Sequence, residues 1–84
     1  MFMKNLIDEN KLIEEIVENE WRDMSEEDKK EFRNITDSEE AAVLMHFGYG
    51  MEIRNKYLLW EKCSMPDDVS NRVIQNLIAR AKNV

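Results

Sequence analysis

The 84-residue chain holds one cysteine, one proline and two glycines, and each shortage excludes something. Cys63 has no partner for an intrachain disulfide, and a lone thiol suits a reducing compartment. With a single histidine beside that single cysteine, a closed zinc site would have to recruit two carboxylates, so neither metal nor cofactor is expected. Pro66 is the sole helix breaker of its kind, and no Gly- or Ser-rich linker divides the chain, so residues 1–84 read as one domain. No apolar run approaches the roughly 20 residues that span a bilayer. The start, MFMKNLIDEN, lacks a small-residue cleavage site; a cytoplasmic protein with no membrane association is the expectation. Basic residues are scarce where they would matter for nucleic acid. Residues 1–40 contain 14 acids and 6 bases, net −8, and residues 41–84 contain 4 acids and 6 bases, net +2. Such a balance opposes nucleic-acid binding, which needs basic groups to displace counterions.

What is present is helical. Leu12, Ile13, Ile16, Val17, Trp21 and Met24 form one apolar face, predicting a first helix capped by Asn5 or Asp8 and running to about Met24. Ser25-Glu-Glu-Asp28 starts a second, short helix over residues 26–33, with acids at its positive end. Thr36 or Ser38 caps a third, long helix ending near Trp60. Glu61 to Met65 connect it to a last helix with Pro66 in its first turn and an apolar face of Val69, Val73, Ile74, Leu77, Ile78 and Ala81. The expected fold is all-α, a compact bundle of four helices around a central helix at residues 37–60.

That central stretch carries the polar residues that ask for an explanation. At about 100° per residue, Leu44, Phe47, Met51 and Leu58 fall on one stripe and Ala42, His46, Ile53, Tyr57 and Trp60 on a second. Arg54 projects between them, one turn after Gly50, and is expected to enter the interior. Gly48 and Gly50 then serve close packing within a continuous helix. A buried guanidinium needs an acceptor, because an unpaired buried charge costs several kcal/mol. Asp67 or Asp68 reaches Arg54 if the last helix folds back antiparallel; Glu20 is a further candidate, although its long side chain also permits escape to solvent. The expected interior polar cluster is therefore His46, Arg54, Asn55, Asp67, Asp68 and Ser70, a structural clasp between two helices. No catalytic residue is assigned, since no carboxylate is positioned beside His46 and neither Ser70 nor Cys63 sits in a nucleophile pattern. Trp21, Tyr49, Tyr57 and Trp60, with Glu27 and Glu31, are the candidates for an interface of aromatics and acids.

Within His46 to Asn55, HFGYGMEIRN, followed by Leu59-Trp60 and by Pro66-Asp-Asp68-Val-Ser70, the chain resembles a small family of uncharacterised bacterial and phage-borne proteins, the DUF6794-type domain of unknown function. The resemblance covers about residues 20–80 and falls on His46, Gly48, Gly50, Ile53, Arg54, Asn55, Trp60, Pro66, Asp67, Asp68 and Ser70. Glu52 stands where that pattern has tryptophan, and the connection from Trp60 to Pro66 is shorter. The resemblance implies no activity.

Together these features lead to the expectation of a non-enzymatic protein-interaction module of the small regulator, antitoxin or immunity type. Its partner is expected to be another protein that meets the acidic first half. Two alternatives stand beside it: a small enzyme or ligand binder with a pocket at His46 and Arg54, and an acidic nucleic-acid mimic.

Overall fold

Helix formation begins at Asp8, whose carboxylate accepts from the backbone N–H groups of Asn10 at 3.1 Å and Lys11 at 3.3 Å. The structure, a computed structural model, describes residues 8–83, so the alternative cap at Asn5 falls outside the described residues. In α1 (Glu9–Asp23) the buried side chains are Ile13, Ile16, Val17 and Glu20, the spacing of one helical face. Glu20 is thus placed on the apolar side by the same periodicity that buries its neighbours.

Ser25 caps α2 (Glu26–Arg33), its hydroxyl accepting from the Asp28 N–H at 3.0 Å. This helix buries no residue fully and half-buries Phe32, so its charged sequence is held by its end. The Arg33 Nε donates to the Ala81 carbonyl at 3.1 Å, and the Lys82 Nζ donates back to the Arg33 carbonyl at 3.0 Å.

The expected long helix is three short ones: α3 (Ser38–Leu44), α4 (Tyr49–Lys56) and α5 (Leu59–Lys62). Six helices, rather than four, make up the described residues, and no strand is present among them. Neither Thr36 nor Ser38 caps α3; Asp37 does, accepting from the N–H groups of Glu39 and Glu40, both at 3.1 Å. The first interruption centres on the Met45 carbonyl, which accepts from the Gly48 N–H at 3.1 Å and the Gly50 N–H at 2.8 Å, so the regular i to i+4 ladder is lost. The second lies at Leu58, whose φ of 53° and ψ of 45° are left-handed. No other non-glycine among the described residues has a positive φ.

The hub is the last helix, α6 (Pro66–Lys82), which packs against each of the other five. Its Val69, Ser70, Val73, Ile74, Leu77, Ile78 and Ala81 are all buried. The expectation of a central helix at residues 37–60 is therefore corrected. Because the chain turns after Leu44 and again at Leu58, α3 and α4 each give α6 only one narrow face: Ala41 and Ala42 from α3, Gly50, Ile53 and Arg54 from α4. The stripe of Leu44, Phe47, Met51 and Leu58 stands in solvent instead, with Leu44 at 78% and Phe47 at 79% exposure.

A leucine in the left-handed region carries a penalty of about 1 kcal/mol that glycine does not. Leu58→Gly is expected to raise the thermal midpoint and Leu58→Val, with a β-branch in the same conformation, to lower it, as read by circular dichroism melting.

Candidate functional site

Two buried polar arrangements draw on adjoining faces of α4. On the α6 side, Arg54 is 2% exposed, and its contacts explain why the preceding helix breaks. Its Nη2 donates to the His46 carbonyl at 2.9 Å, an acceptor left free by the interruption between α3 and α4. Its Nη1 donates to the Ser70 hydroxyl at 2.9 Å and lies 3.5 Å from His46 Nδ1. Ser70 in turn donates to the Asp67 carbonyl at 3.0 Å, within the first turn of α6. The Arg54 Nε faces Asp67 Oδ1 at 3.4 Å, an ion-pair distance without an aligned hydrogen bond, and the Asp67 carboxylate is itself exposed. His46 Nε2 stands 4.0 Å from the other Asp67 oxygen.

Gly50 makes room for this arrangement: a Cβ there would lie 3.2 Å from Arg54 Nη1 and 3.3 Å from the Met45 carbonyl oxygen. Gly48 has no such role, since a Cβ would meet nothing nearer than the Met45 oxygen at 4.0 Å, and the expectation of close packing there is corrected. Two more expected members stand outside the cluster. Asp68 pairs with Arg72 one turn along α6, Oδ2 to Nε 3.3 Å, because consecutive residues on a helix point about 100° apart. Asn55 is exposed, and its Oδ1 accepts from Trp60 Nε1 at 3.1 Å. That bond holds the Trp60 ring 5.7 Å from the Arg54 guanidinium carbon, so the exposed indole shields the buried cation.

On the α1 side, Glu20 is the centre. Its Oε1 accepts from the Tyr49 hydroxyl at 2.6 Å, and its Oε2 from the Tyr57 hydroxyl at 2.7 Å and Lys56 Nζ at 2.8 Å. It neither reaches Arg54 nor escapes to water. Tyr49, Ile53, Lys56 and Tyr57 recur at helical spacing, which presents all three donors to one carboxylate. Burial pushes the Glu20 pKa up, but the hydrogen bonds from Lys56, Tyr49 and Tyr57 outweigh it and leave the group below its ordinary value. Burial and the bond to Glu20 push the Tyr49 hydroxyl well up, and the same causes bring Tyr57 to about 12. The Lys56 ammonium is held up by its bond to Glu20. The spacing of two tyrosines and a lysine opposite an acid inside an apolar face was the signal for this site.

Both Glu20 oxygens are occupied, the phenols hold their protons more tightly than free tyrosine, and burial pushes the Cys63 thiol up, away from the reactive thiolate. Among the described residues, no group of three or more His, Cys, Asp or Glu side chains is placed to hold a metal ion, and no helix is long and apolar enough to cross a membrane. Of the interface candidates, Tyr49 and Tyr57 are tied to Glu20. Trp21 is half-buried between cations, with Lys29 Nζ 4.5 Å and the Arg80 guanidinium 5.2 Å from its ring, and Arg80 is anchored on Glu18 at 2.6 Å. Glu27, Glu31 and Trp60 are exposed.

A helical domain built on one hub helix, with a buried arginine bridging that hub to a broken helix, is the class of protein these features define. The model of a domain of unknown function, DUF6794, matches residues 11–80, and the chain belongs to that family. No curated protein and no solved structure matches it.

Removing Arg54 leaves the His46 carbonyl without its donor and the buried Ser70 hydroxyl with only its bond to the Asp67 carbonyl. Arg54→Ala is expected to destabilise the fold by about 3 kcal/mol or more in chemical denaturation, and Arg54→Lys to recover only part, lacking the planar fork that serves several acceptors. Gly50→Ala should cost clearly more than Gly48→Ala. The Glu20 site predicts a pH dependence at both ends. Folding lowers the Glu20 pKa, so its contribution is present above the ordinary value of 4.5 and is lost as pH falls through the lower folded value; Glu20→Gln should flatten that acid limb. Folding raises both phenols, so their contribution is present below 10.0 and lost as pH rises through about 12 for Tyr57. Absorbance at 295 nm should accordingly show little phenolate at pH 10, where a free phenol is half ionised.

Proposed function

We propose that the chain is a non-enzymatic protein-interaction module, of the kind that serves as a small regulator, antitoxin or immunity-type protein, and that it docks through a surface combining acids with apolar side chains. The observation that carries this reading is the outer face of α3. Glu39 and Glu40 lie one turn before Val43 and Leu44, and Phe47 follows, all five exposed. Large apolar side chains next to one another in solvent are a feature of binding surfaces rather than of isolated monomers. Glu27 and Glu31 of α2 are also exposed and offer further negative charge to a basic partner.

The reading of a ligand pocket at His46 and Arg54 has less to support it. A ligand would have to displace the His46 carbonyl and Ser70 from a guanidinium that is 2% exposed. Partner capture from the source cell, followed by mass spectrometry, tests the interaction reading. Two surface variants, Glu27→Lys with Glu31→Lys and Leu44→Ser with Phe47→Ser, are expected to retain the melting temperature and to lose the partner captured by the unmodified chain. Undiminished capture by both would overturn the proposal.

A further inference from the structure

Between the end of α1, the start of α2 and the turn joining α3 to α4 lies an open cleft of about 430 Å³. Its apolar walls are Met24, Phe32, Met45 and the ring of Tyr49, and Asp23 and Asp28 stand at it beside Glu20. We propose that this cleft receives an arginine side chain of a partner protein. The inference rests on the interaction reading and names the chemistry of the contact.

The charged side chains that line the cleft, Glu20, Asp23 and Asp28, are all acidic. Glu20 is matched by Lys56, but Asp23 and Asp28 are exposed and form no ion pair among the described residues. Asp23 feels the Lys56 ammonium without pairing with it, so an incoming cation meets two exposed carboxylates that lack a partner at contact distance. The walls select within the class of cations. Phe32 and Tyr49 stand edge to face, with centroids 6.2 Å apart and planes at 79°, and present aromatic surface on which a planar guanidinium stacks better than a compact ammonium. Met24 and Met45 offer adaptable thioethers to the hydrocarbon stem.

The cleft is also pre-organised. Tyr49 is fixed by its 2.6 Å bond to Glu20, and the backbone of Met45 by the N–H groups of Gly48 and Gly50. Met45 also lines a second, smaller depression of about 250 Å³ with Glu40 and Leu44.

Methyl-labelled protein titrated with N-acetyl-arginine amide, N-acetyl-lysine amide and the neutral isostere N-acetyl-citrulline amide tests the proposal. Saturable shifts at the Met24 and Met45 methyls are expected with arginine, weaker ones with lysine and none with citrulline, while Met51 and Met65, outside the cleft, stay put. Asp23→Asn with Asp28→Asn should weaken the arginine response by about tenfold or more, consistent with loss of two charge-assisted contacts. Equal responses to arginine and citrulline, or shifts spread evenly over all four methionines, would overturn it. The same double variant separates this inference from the broader one: full partner capture by Asp23→Asn with Asp28→Asn, together with loss of capture in the α3 variant, removes the arginine cleft and leaves the interaction module standing.

Discussion

The fold depends on one guanidinium. Arg54 bonds the carbonyl that the broken helix leaves bare and the hydroxyl that the hub helix buries, so a single side chain settles the angle between α4 and α6 and the course of the chain from α3. The carbonyl would lose its hydrogen-bond partner without it, and the hydroxyl one of its two. A carbonyl at an interrupted helix and a serine in an aliphatic face are both polar groups removed from water, and together they supply what a buried cation requires. Asp67 adds charge from the solvent side, where its own hydration is largely kept. The arrangement thus avoids the full desolvation penalty of a sealed ion pair.

Glu20 is the counterpart of opposite sign, on an adjoining face of α4. Gly50 and Arg54 face the hub; Tyr49, Lys56 and Tyr57 face α1. A helix of eight residues has little stability of its own, so charge-assisted contacts on both flanks do for α4 what a long apolar stripe does for α1 and α6. Arg54 and Glu20 are thus both engaged internally.

Much of this was legible in the chain. The helical class, the starts of α1, α2 and α6 and the apolar faces of α1 and α6 follow from caps and periodicity. Arg54 was readable as an interior residue from its place one turn after Gly50, between apolar stripes. The break between α3 and α4 was not readable from periodicity, because apolar stripes stay in phase across a short turn and two glycines are compatible with either course. What decides it is a contact eight residues away, between Arg54 and the His46 carbonyl, and such tertiary choices leave no local trace. The same limit explains Asp68 and Asn55: sequence proximity to the cluster placed them in it, while helix geometry points one at Arg72 and lets the other hold Trp60. Glu20 lay in plain sight on the face of α1, but three donors spread over Tyr49 to Tyr57 become a single site only when their side chains reach across to it.

That the hub is α6 has a consequence for how the molecule is made. Every earlier helix leaves the ribosome before the surface it must cover exists, and α3, α4 and α5, with seven, eight and four residues, are too short to persist alone. The acceptors awaiting Arg54 are likewise incomplete until Ser70 has been synthesised. The first four helices therefore gain their main packing surface only once α6 is in place.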